Sequence, residues 1–73
     1  MKFIDIAATS RLLRETRVEQ DLKAVYVANR LCVTPGAVSR WELGKCLPGI
    51  DRLINLADIY GCRVEDLLVI REG

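Results

Sequence analysis

Leu31-Cys32-Val33-Thr34-Pro35-Gly36-Ala37-Val38-Ser39-Arg40-Trp41-Glu42-Leu43-Gly44-Lys45 is the stretch from which the organisation of this chain unfolds. Thr34 can accept a hydrogen bond from the free amides of a helix start, and Pro35 at the first helical position lacks only an amide that would be orphaned anyway. Ala37, Val38 and Trp41 then fall on one side of the helix, with Pro35, Gly36, Ser39 and Arg40 on the other. Gly44 is placed to end the helix in a left-handed conformation.

Working backwards, Leu22, Val25, Val27, Ala28 and Leu31 form an apolar stripe at helical spacing that ends near Leu31 or Cys32, with Asp21 read as its cap. About three residues separate this helix from the next. Earlier still, Leu12, Leu13 and Val18 mark a helix running from Thr9, with Arg11, Arg14, Glu15 and Arg17 on its wet face. Forwards, a Leu47-Pro48-Gly49 turn leads to Ile50, Leu53, Ile54, Leu56, Ala57 and Tyr60, a fourth helix stopped by Gly61. Val64 to Ile70 has room for one or two further turns, with Glu65 and Asp66 near the positive end. Phe3, Ile4 and Ile6 at one end and Leu67 to Ile70 at the other are β-prone. A short two-stranded pairing of the chain ends would cover both.

Two helices joined by about three residues, the second with an accessible capped start, describe a helix-turn-helix unit over about residues 22–43. The geometry has a physical use. A helix fits the major groove of B-DNA, its predecessor braces it across the backbone, and helix N-termini offer free amides to phosphates.

Composition sets the bounds. Seventy-three residues, 51% hydrophobic and 29% charged, make one folded domain over 1–73, without room for a second module or an enclosed substrate cavity. The net charge of +1 is no nucleic-acid footprint by itself, yet it is unevenly spread. Residues 9–47 hold seven basic side chains against four acidic, and residues 48–73 three against five. The expectation is a positive working half and a negative supporting half.

Cys32, Cys46 and Cys62 are odd in number and match no CxxC pair, so reduced thiols are expected. With no histidine, a zinc site would need scattered thiolates and a carboxylate, and no metal or other cofactor is expected. The absence of histidine, of a phosphate loop and of a supported carboxylate pair argues against an enzyme. The opening MKFIDIAATS does not read as a secretory signal, and no apolar run is long enough to span a membrane. The cytoplasm is the expected compartment.

The stretch quoted above, with Leu47-Pro48, Leu56-Ala57 and Tyr60-Gly61-Cys62-Arg63-Val64-Glu65-Asp66-Leu67-Leu68, resembles the Cro/C1-type (XRE-type) helix-turn-helix proteins over about residues 9 to 70. The resemblance implies an all-α, five-helix, lambda-repressor-like domain that binds operator DNA as a homodimer, a transcriptional repressor with the helix starting at Thr34 in the major groove. It implies base-facing roles for Pro35, Gly36, Ser39 and Arg40, and phosphate contacts for Thr34, Lys23, Lys45 and Arg11. It also implies an ion pair between Arg17 and Glu42. Two positions depart from the pattern. The family's usual glycine at the end of helix two is Cys32, and the glutamine that often opens helix two is Ala24, leaving Lys23 as the substitute phosphate contact.

Each assignment has a plainer counterpart. Arg40, Lys45 and Arg11 could be solvated cations, Pro35 and Gly36 simple helix initiators, and Arg17 and Glu42 separate surface charges. Trp41 shares a face with Val38 and reads as core. A competing function is a protein-interaction module, such as the DNA-binding antitoxin of a toxin pair, which the small net charge and donor-poor helix start would suit. No small-molecule effector and no membrane partner is implied.

Overall fold

The computed structural model describes residues 1–73 as β1 (Lys2–Ile4), α1 (Ile6–Glu19), α2 (Ala24–Leu31), α3 (Pro35–Glu42), α4 (Ile50–Tyr60), a 3₁₀ turn (Val64–Leu67) and β2 (Ile70–Glu72). The domain is mostly helical, with four α-helices and one short antiparallel sheet in the register Lys2↔Glu72, Phe3↔Arg71, Ile4↔Ile70.

The expected count of five helices is corrected to four. Only one 3₁₀ turn forms after Cys62, because Leu68 adopts an extended conformation at φ −113°, ψ 137°. From there the N–H of Val69 donates to Oγ1 of Thr9 at 3.0 Å, and its carbonyl accepts from the N–H of Asp5 at 2.9 Å. The chain is thereby drawn out towards β1. The all-α expectation is modified in the same way, and the pairing lies further out along both ends than Phe3–Ile6 with Leu67–Ile70.

The first helix begins at Ile6, three residues before the expected Thr9. Asp5 caps it, its Oδ1 accepting from the N–H of Ala8 at 3.0 Å while its Oδ2 accepts from Nε of Arg71 at 3.0 Å. These two bonds, the backbone one first, hold the Asp5 carboxyl below the usual aspartate range. Asp21 does not cap the second helix. It occupies a left-handed turn at φ 58°, and the N-cap residue is Lys23, whose side chain has no acceptor to offer. Ile6, Val18 and Val25, read as apolar contributors, are about half exposed.

The core gathers Leu13 from α1, Val27, Ala28 and Leu31 from α2, Val38 and Trp41 from α3, Leu53, Leu56, Ala57 and Tyr60 from α4, and Leu67. Each fully buried aliphatic side chain contributes roughly 1.5–3 kcal/mol. Every helix surrenders one stripe to this core, which fixes the faces that remain outside. Gly61 closes α4 at φ 70° as expected. Gly44, at φ 77°, also lies against α1: a Cβ there would stand 3.6 Å from Oγ of Ser10, a buried hydroxyl with no hydrogen-bond partner.

Candidate nucleic-acid interface

Three residues, Cys32, Val33 and Thr34, join α2 to α3. Cys32 takes φ 57°, ψ 41°, the left-handed position that the family fills with glycine, and its N–H and that of Val33 return to the last turn of α2. The turn thus keeps the glycine geometry with a side chain in place, at the strain such a backbone imposes. Thr34 caps α3, Oγ1 accepting from the N–H of Ala37 at 3.2 Å.

α3 is split lengthwise. Val38 and Trp41 are buried, Trp41 being 7% exposed, while Pro35, Gly36, Ser39 and Arg40 are all exposed. Leu43 extends that outer stripe by one turn and is 71% exposed. The reading of the sequence omitted it, although its place three residues after Arg40 and four after Ser39 was the available signal. At the far end the N–H of Lys45 donates to the carbonyl of Arg40 at 3.0 Å, so the backbone at Lys45 is fixed directly behind α3. Arg11 lines a groove with Ser10, Glu42, Leu43 and Gly44, which sets it across from the same end. Thr34 stands at the opposite end of α3. Lys23 is separate from this stripe, exposed at the start of α2.

The orientation of α3 is held by a bidentate ion pair. Arg17 of α1 donates from Nε to Oε2 of Glu42 at 2.7 Å and from Nη2 to Oε1 at 2.9 Å, and its Nη1 donates to the carbonyl of Leu22 at 2.8 Å. The two side chains retain only 14% and 8% exposure. Glu42 strengthens the hold of the Arg17 guanidinium on its proton. Tyr60, from α4, is buried near the pair; burial, reinforced by Glu42 and opposed by Arg17, pushes its hydroxyl up to about 12. A single guanidinium therefore joins α1, the approach to α2 and the end of α3. The bond to Leu22 was not foreseen, since nothing in the sequence marks which carbonyl a folded arginine will find.

No helix is long and apolar enough to cross a membrane. Comparison with known proteins bears on this arrangement. The chain is similar in structure to hydroxypropylphosphonic acid epoxidase from S. wedmorenis, with TM-score 0.80 and 23% identity, over 88% of this chain and 34% of that one; it spans about a third of that enzyme. It is similar to the P22 c2 repressor in complex with synthetic operator 9T, with TM-score 0.77 and 22% identity, over 82% of this chain and 91% of that one. It is also similar to the restriction-modification controller protein C.AhdI from Aeromonas hydrophila, with TM-score 0.79 and 21% identity, over 86% of this chain and 96% of that one. At such identities the likeness is one of fold. No curated protein matches the sequence. The model of the helix-turn-helix family matches residues 13–67, from the core of α1 to the end of the 3₁₀ turn. The chain belongs to the helix-turn-helix family, of the Cro/C1 (XRE) type.

Proposed function

We propose that this chain is a sequence-specific DNA-binding transcriptional repressor that lays the outer stripe of α3 in the major groove. The observation that carries the reading is the division of α3: a capped, accessible N-terminus and an exposed stripe, on a helix whose other face is buried and whose end is clamped by Arg17. Pro35, Gly36, Ser39 and Arg40 face base edges. Thr34, Lys23, Lys45 and Arg11 hold phosphates on either side. Only Ser39 and Arg40 bring side-chain hydrogen-bond donors, so direct readout rests mainly on them. The structures similar to this chain include a repressor crystallised with operator DNA, which supports the reading. Residues 1–73 act as one unit, and two copies bind a two-fold site with half-sites about one helical turn apart. Occupancy of the operator is the regulatory act.

The test is selection from random duplexes followed by titration at two salt concentrations. Three phosphate cations per protomer, six on the two-fold site, give a slope of log K against log salt of about −5.4, from roughly −0.9 for each neutralised phosphate. Lys45→Ala, which removes one contact from each copy, should make that slope shallower by about 1.8 with the selected motif unchanged. Arg40→Ala should relax one position of the motif. Selection that enriches no motif would overturn the proposal and leave a protein-interaction module, the antitoxin type included, as the reading.

A further inference from the structure

The outer stripe of α3 contains one residue without a side chain, and the space beside it is occupied. A Cβ at Gly36 would stand 3.8 Å from Nη1 of Arg40 and 3.8 Å from Oγ1 of Thr34. The guanidinium of Arg40 therefore lies back along the helix, over the backbone of the residue four positions earlier. That direction follows from helix geometry, in which Cα–Cβ bonds tilt towards the N-terminus and long side chains cover the i−3/i−4 turn. What sets this helix apart is the floor beneath the guanidinium, which is bare backbone with no rotamer to compete for the space.

We infer that Gly36 is a specificity-determining residue acting through Arg40: it is the slot that keeps the guanidinium at the N-terminal end of α3, where Arg40 reads one guanine. The inference rests on the DNA-binding reading above and adds a role to it. With Nη1 resting on the backbone at Gly36, the guanidinium stays at this end of the exposed stripe, and its planar fork of donors is the group that bonds O6 and N7 of guanine bidentately. Thr34 at the same end, with its hydroxyl engaged by Ala37, is left to hold a phosphate. Gly36 is therefore a positioning residue, not one that bonds a base.

The size of residue 36 tests this. Alanine at 3.8 Å makes ordinary van der Waals contact with the guanidinium and leaves it in place, whereas the branched end of leucine grows into the space Arg40 occupies. Both are better helix formers than glycine, so neither variant should unfold the chain. The native chain, Gly36→Ala, Gly36→Leu, Arg40→Ala and the double variant Gly36→Leu with Arg40→Ala would be titrated against the selected duplex and against one with adenine in place of the Arg40-dependent guanine.

The native chain and Gly36→Ala should prefer guanine by about 5- to 150-fold, the range of a bidentate contact. Gly36→Leu should bring the preference close to one with the salt slope unchanged, and adding it to Arg40→Ala should change little further. Retention of the guanine preference by Gly36→Leu would overturn the inference. So would a loss of affinity from Gly36→Leu that is just as large in the Arg40→Ala background, since leucine would then be blocking the duplex itself. Failure of the native chain to prefer any sequence would instead sink the reading on which the inference stands.

Discussion

Replacing Glu42 with glutamine removes one charge from a largely buried pair between α1 and α3 and leaves its partner. In the native chain Arg17 spends two donors on the carboxylate and a third on the Leu22 carbonyl, with 14% exposure of its own and 8% for Glu42. After Glu42→Gln the guanidinium keeps the carbonyl and one amide oxygen but loses its counter-charge. Stranding a buried charge costs about 3–5 kcal/mol, and the residual exposure of Arg17 points to the lower end, about 3 kcal/mol. For a chain of this length total stability is on the order of 4–11 kcal/mol, so a large fraction disappears. With a urea m-value of about 1 kcal/mol/M for so small a domain, the midpoint should fall by about 3 M at unchanged m.

Trp41, the single tryptophan, sits in the core beside Glu42 and gives the fluorescence signal. The decisive comparison is Arg17→Met with Glu42→Leu, which removes both charges at similar volume. It should recover most of the loss, because the expensive state is the half-broken pair. A drop below about 1 kcal/mol for Glu42→Gln would mean that solvent screens the pair as on an open surface. A double variant as unstable as the sum of the single ones would mean that the side chains matter for their packing alone. Either result would refute the reasoning.

Two other perturbations address the turn and the core. Cys32→Gly should raise stability by up to about 1 kcal/mol in the same urea titration, since relief of the left-handed strain, about 1–2 kcal/mol, outweighs the extra entropy glycine loses on folding, and Cys32→Val should lower it. The raised pKa of Tyr60 favours the neutral phenol in the folded state, so its contribution is fully present below the unfolded value near 10 and is lost as pH rises towards about 12. Stability followed from pH 9 to 12 should therefore fall by about 2–3 kcal/mol in the native chain and by clearly less in Tyr60→Phe.

Much of the fold is readable because apolar spacing and caps are local signals. Thr34, Pro35 and Gly44 bracket α3 within a residue, and the buried faces of α2, α3 and α4 largely follow the periodicity. The errors are equally physical. Asp21 is a good capping residue in the wrong place, because the chain needs a left-handed turn at that point and Asp tolerates one. Ile4 and Ile6 look alike by β-propensity, yet Asp5 between them ends the strand by capping a helix. The extent of the sheet depended on a bond between residues 60 positions apart, which no local pattern records. At the candidate interface the exposed residues of α3 were legible from helix geometry, and the resemblance supplied the partner of Arg17. The placement of the Arg40 guanidinium over Gly36 was not, since it depends on a side-chain conformation.

A single line along α1 explains why hydropathy under-reads this domain. Asp5, Thr9, Leu13 and Arg17 succeed one another at four-residue intervals and so share one face. Asp5 holds the helix start and Arg71, Thr9 holds the backbone of Val69, Leu13 enters the core, and Arg17 clamps Glu42 and Leu22. Three of these four are polar, so a search for an apolar stripe treats the line as solvated surface and starts the helix too late. Yet each polar member meets a defined partner, which satisfies donors and acceptors that would be costly to bury alone. α1 is thus the spine that ties the closing strand at one end to α3 at the other. α1 meets the end of α3 through the clamp of Arg17 on Glu42 and again where Ser10 lies against Gly44, so the orientation of α3 depends on α1 as well as on the turn that precedes it.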